Sequence, residues 1–143
     1  MTNLREAIFA AIESRLTAIP SIGRVERMPA GDPDLFPALS IFDGVQEPIE
    51  RGASHTRHEL TITIEGFVEQ ADGVEAHAGL NDLYAQTVAA LLTEPPLGGL
   101  IDEINEGGMR VSVAQLASES RLGFGLDFTI QFSTARENPA LPA

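Results

Sequence analysis

Hydrophobic residues return every three or four positions along "LREAIFAAIESRLTAI", at Leu4, Ile8, Ile12, Leu16 and Ile19, with Ala11 filling the stripe. That spacing places them on one face of an α-helix. Asn3 precedes the stripe and Glu6 follows three residues later, the layout of a capping box with Asn in the Ser/Thr place, and Pro20 stops the helix. "SIGRVERM" predicts a short strand. "PAGDPDLFP", crowded with prolines and aspartates, predicts an irregular loop. "ALSIFDG" (38–44) reads as a strand ended by Asp-Gly, and "VQEPIERGAS" after it as a polar loop or flexible flap.

From residue 55 the period changes to two. In "HTRHELTITIEGFVEQ", Leu60, Ile62, Ile64, Gly66 and Val68 point one way, and Glu59, Thr61, Thr63 and Glu65 the other, which predicts a half-buried strand. "ADG" breaks it. A second helix is expected from about Val74 to Thr93, with Leu80, Leu83, Tyr84, Thr87, Val88, Leu91 and Leu92 on its apolar stripe and Pro95-Pro96 at its end. "LIDEINEGG" reads as a short strand running into a glycine turn, followed by "MRVSVAQL". In "LGFGLDFTIQF", Phe124, Leu126, Phe128, Ile130 and Phe132 share one face, the clearest strand in the chain, whereas the tail "ENPALPA" has no periodicity. The predicted fold is α+β, a single mostly antiparallel β-sheet with two main helices packed on one face, in the order α-β-β-β-α-β-β. It forms one domain over residues 1–136, with a C-terminal tail at 137–143. No internal repeat or low-complexity segment is present.

The chain of 143 residues is about one domain long, and its 43% hydrophobic content is enough for a core. A domain of this size buries about two-thirds of its unfolded surface. With no cysteine, disulfides, thiolate metal sites and cysteine catalysis are excluded. No apolar run of about 18 residues suggests a membrane span, and the first helix carries Glu6 and Glu13, unlike a signal peptide, so the expectation is a cytoplasmic product without membrane contact. Nine arginines and no lysine stand against 21 acids, a formal charge of −12. A surface this acidic lacks the basic footprint that binds phosphates, which argues against tight nucleic-acid binding.

Charge patterning supplies few candidates for chemistry. A helical zinc site needs His at i and i+4 with Glu between them. His55 and His58 are three apart in an extended segment, so they point to opposite faces, and the glutamate follows the pair. Solvent-facing histidines at the start of a strand are the better reading, with His77 alone elsewhere. Asp102/Glu103 and Asp32/Asp34 are pairs expected by chance among so many acids. No G-x-S-x-G nucleophile elbow occurs, and the Gly-Gly steps read as turns needing positive φ. No cofactor or metal is expected, and nothing here calls for an enzyme. The outward Thr, Gln, Glu and Asp of the long strands suit assembly at sheet edges, and arginines among the acids suit contacts that fix register.

Taken together, "LREAIFAAIESRLTAIPSIGRV", "FPALSIFDG", "RHELTITIEGFV", "LNDLYAQTVAALLTEPPLGGL" and "FGLDFTIQFSTARENP" resemble the tail terminator (tail completion, minor tail) proteins of long-tailed bacteriophages and gene transfer agents. The resemblance covers nearly the whole chain in the same element order. It implies a virion structural subunit forming a homo-oligomer, a hexameric ring on the end of the tail tube. The ring would stop polymerisation of the major tail protein and present its other face to the head connector or neck proteins. DNA would pass through the lumen without specific binding, which an acidic wall favours. The location implied is the head–tail junction of the particle, after assembly in the host cytoplasm. Self-repulsion at −12 would oppose ring closure without a template. No family contact residue transfers one by one. The candidate assembly surface is the 47–57 flap, with Glu47, Glu50, Arg51, His55 and Arg57. The alternative in the same class is a head–tail joining (neck) protein. A small-molecule binding α+β domain is a further alternative, opposed by the large inward residues Phe124, Phe128, Phe132, Ile62 and Ile64.

Overall fold

The computed structural model describes residues 3–116 and 118–143. Its order is α1 (Leu4–Thr17), β1 (Arg24–Arg27), β2 (Ala38–Arg51), β3 (His55–Phe67), α2 (Val74–Leu92), a 3-10 turn (Pro96–Gly99), β4 (Glu103–Leu116), β5 (Glu119–Ala135) and β6 (Asn138–Pro142). The class is α+β, two helices and one six-stranded mixed sheet.

The strands lie in the order β1-β2-β3-β5-β4, and β6 joins the far end of β5. β1 runs parallel to β2, and every other pairing is antiparallel. Leu60, Ile62 and Ile64 of β3 and Phe124, Leu126, Phe128, Ile130 and Phe132 of β5 lie on one face, and both helices pack there to form the core. Against this face α1 buries Leu4, Ile8, Phe9, Ile12 and Leu16, and α2 buries Leu80, Leu83, Thr87 and Leu91. Each buried Leu, Ile or Phe contributes about 1.5–3 kcal/mol to the hydrophobic gain. The large aromatics fill the space between helices and sheet: Phe124, Phe128 and Phe132 are at most 2% exposed.

Ends and joints are secured by polar contacts. Asn3 Oδ1 accepts from the backbone N–H of Arg5 and of Glu6, so it caps α1. The capping box is only half made, because the Glu6 carboxylate takes two bonds from Arg27 at 2.6 and 2.8 Å instead. Arg5 forks onto both Asp43 oxygens and Gln46, tying α1 to β2, and the guanidinium groups of Arg5 and Arg27 both sit on the Phe9 ring. Arg15 donates to the carbonyls of Thr93 and Pro95, just past α2, where a cation also suits the helix dipole.

Four expectations are corrected. The strand at 38–44 does not end at Asp-Gly but runs on to Arg51, so the supposed flap is the outer half of a β-hairpin. Register shifts at Asp43/Gln46 and Pro48/Glu50 mark bulges, which spoil the period of two that a strand normally shows. Gly107-Gly108 is likewise a bulge within one continuous strand and not a turn. The tail is a strand: Asn138 pairs with Ala135 and Pro142 with Thr134, and β6 also touches α1.

Candidate assembly surface

The candidate residues gather at one end of the sheet because the β2–β3 hairpin brings them there. Glu47 lies opposite Glu59, Glu50 opposite Arg57 and Arg51 opposite Thr56, and the Gly52 N–H closes the turn onto the His55 carbonyl at 2.9 Å. His55 Nε2 stands 3.4 Å from Glu50, and Arg57 Nε stands 3.7 Å from Asp102. Arg57 Nε is buried and makes no hydrogen bond among the described residues. The hairpin thus unites Glu50, Arg51, His55 and Arg57, while Glu47 sits nearer the sheet and faces another acid.

Two further residues complete this end and were missed in the sequence. Arg136, in the β5–β6 turn, donates its backbone N–H to the Ser54 carbonyl at 3.0 Å. Asp102, just before β4, reaches Arg57 and donates its N–H to the Gln131 carbonyl. Both arrive from far along the chain, so no local pattern marks them.

His58 behaves differently from His55. It points to the helix-bearing side, where its Nε2 lies 2.9 Å from Thr134 Oγ1 and its ring packs on Phe132. Its Nδ1 is buried without a hydrogen-bond partner among the described residues, and burial holds the imidazole pKa below the ordinary value. The two histidines therefore lie on opposite faces of β3, and His77 lies apart on α2. Among the described residues no group of three or more His, Asp or Glu is arranged to hold a metal ion.

The helix-free face of the sheet is polar over its middle and its hairpin end, while Phe42, Phe67 and Leu116 stand on it at the other end. Glu47, Glu59, Gln131 and Glu103 form a row across four strands, in which Gln131 Nε2 donates to Glu59 at 3.3 Å. Like charges directly opposite on neighbouring strands destabilise a sheet, and no arginine stands in this row. Further along, the Thr63 hydroxyl donates to Asp127 at 2.7 Å and Arg110 adds a bond at 3.2 Å, which together hold the Asp127 carboxyl below the usual range. Neutral Thr61, Thr129 and Asn105 lie between.

A shallow groove of ≈530 Å³ lies between the ends of α1 and α2, lined by small residues such as Ala18, Ala89 and Ala90. Its only charged lining residue, Arg15, is already committed to carbonyls. No helix among the described residues is long and apolar enough to cross a membrane. Comparison with family models and with curated proteins returns no match.

Proposed function

We propose that this chain is a non-enzymatic structural subunit of a phage-type tail terminator. A homo-oligomeric ring of it, hexameric by the resemblance, caps the tail tube, stops addition of major tail protein and offers a surface to the head connector. It acts at the head–tail junction of the particle after assembly in the host cytoplasm. The observation that carries the reading is the one-sided sheet. Helices cover one face, and the other is polar over its middle and hairpin end, with the row Glu47, Glu59 and Glu103 crossing it. Turned toward a lumen, such a face repels phosphates and lets DNA slide without sticking. The hairpin end, with Glu50, Arg51, His55, Arg57 and Arg136, supplies mixed charges suited to fixing a neighbour's register. The quoted sequence segments supply the remaining support.

Electron microscopy of particles made without this protein tests the reading. Tail tubes of excessive and uneven length beside full heads are expected, because loss of the stop lets polymerisation continue. Tubes of normal length that fail to join heads would replace the terminator role by a neck role. Normal particles would overturn both.

A further inference from the structure

Of the exposed large apolar side chains, Leu35, Val74 and Leu100 lie in loops or at a helix start, and the other six stand at the two opposite edges of the sheet. Met109, Val111 and Val113 stand in a row on β4, 39–57% exposed, on the helix-bearing side but beyond helix cover. Val45 and Ile49 stand at the two bulges of outer β2, 63% and 46% exposed, and Met28 flanks them at the end of β1. Edge strands with unpaired backbone and exposed apolar residues are templates for pairing with another strand. Among the described residues β4 has a strand neighbour only on its β5 side. β1 covers β2 only from Ala38 to Ile41, so Gly44–Arg51 is open on its outer side among the described residues.

We infer that these two edges bind each other between copies of the chain, β4 of one subunit against outer β2 of the next. This rests on the ring reading and names the contact that would build the ring. Three features select a second copy as the occupant. A pairing of β4 with β4 would cover one apolar edge and leave the other in water, whereas a head-to-tail contact covers both, and head-to-tail contacts are the kind that close into rings. The local charges at least do not oppose the contact. Gly107–Leu116 carries a single charge, Arg110, which is 59% exposed even while bonded to Asp127, and the facing edge carries Glu47, Glu50 and Arg51, a net −1. Finally, directions match. Three successive antiparallel pairings make β2 and β4 run oppositely, so a neighbour in the same orientation meets β4 antiparallel.

The geometry also sets an offset. Outer β2 lies level with the Ile130–Thr134 end of β5, and the apolar row of β4 lies level with Leu122–Leu126. Joining them staggers neighbours along the strands, as tilted strands in a closed arrangement require. Pro48 and the bulges limit how many ladder bonds outer β2 can accept, so side chains carry much of the contact and runaway sheet growth is discouraged.

The chain has no cysteine, so introduced thiols report cleanly. Single variants M109C, V111C and V113C would be mixed in turn with V45C or I49C and oxidised at about 1 M salt, where charge repulsion is screened to about 3 Å. At least one mixture is expected to give a mixed disulfide dimer as its main product, with each single variant alone remaining uncross-linked. Combining that pair in one chain should give a ladder of multimers, and adding Val113→Asp or Val111→Asp at the uncrosslinked position should abolish it. Homodimers of the β4 variants alone would overturn the proposal in favour of a two-fold edge contact, and no cross-link in any mixture would overturn it outright. A ladder with normal tubes in particles lacking the protein would keep the contact and discard the terminator role. Overgrown tubes without any cross-link would do the reverse.

Discussion

A methyl group at Gly44 would collide with the carbonyl oxygen of Thr61 across the β2–β3 ladder. The bulge that starts the outer hairpin therefore depends on a residue without a side chain, for reasons of space and not of φ. Gly44→Ala is expected to cost about 2–4 kcal/mol, because backbone must move to admit the methyl. Gly108→Ala, where an added Cβ meets nothing within 4 Å, should change stability by less than about 1 kcal/mol. Urea midpoints of the two variants check this, and equal midpoints would mean that the first bulge can open freely. His58 gives a second prediction. Burial lowers its pKa in the folded protein from 6.5, so as pH falls the unfolded chain takes up the proton first. Its contribution is complete above about pH 6.5 and declines as pH drops toward the folded value. Wild type should thus lose more stability between about pH 7.5 and 5.5 than His58→Gln, measured as the difference in urea midpoint. Asp127 shares the sign at lower pH, since its own pKa is lowered from 3.8 by Thr63 and Arg110.

Among the elements, β6 is the one whose removal is most informative. Its five residues continue the sheet at the end of β5 and reach α1, so a chain ending at Arg136 should lose about 1–3 kcal/mol, seen as a lower thermal midpoint with the same circular-dichroism shape. An unchanged midpoint would return residues 137–143 to the status of a loose tail. This strand was illegible in the sequence for a physical reason. Periodicity reports a strand only when one face is buried and the other wet, as in β3 and β5, where it was read correctly. β6 is short and contains two prolines, and β4 alternates only over Met109–Val113, beyond the Gly107-Gly108 bulge that hides its continuity with Glu103–Glu106. Outer β2 fails the same test and adds two bulges. The helices were legible because each buries a continuous stripe. Of the candidate surface, Glu50, Arg51, His55 and Arg57 could be grouped because they are close in sequence, even under the wrong label of a flap. Arg136 and Asp102 could not, since only tertiary pairing brings them there.

At the scale of the molecule, charge and apolar edges act in opposition. A formal −12 on one small domain makes every encounter between copies repulsive at long range, while Met109, Val111 and Val113 on one edge and Val45 and Ile49 on the other reward contact at short range. The range of the repulsion is set by salt: about 10 Å at 0.1 M and 3 Å at 1 M. Few ion pairs are spare to reverse that trend, because Arg5, Arg24, Arg27, Arg57, Arg110 and Arg121 all have acidic partners within the same chain. Self-association should therefore strengthen as salt rises, the opposite of what an interface built on ion pairs would do. Sedimentation velocity across about 0.05 to 1 M salt measures this directly, with larger species expected toward the upper end. Association that weakens with salt would mean that the exposed carboxylates and the Arg51–Arg136 end dominate the contact, and the apolar edges would lose their assigned part. If the predicted trend holds, a low-salt solution keeps subunits apart, and the acidity of the chain sets when they may join.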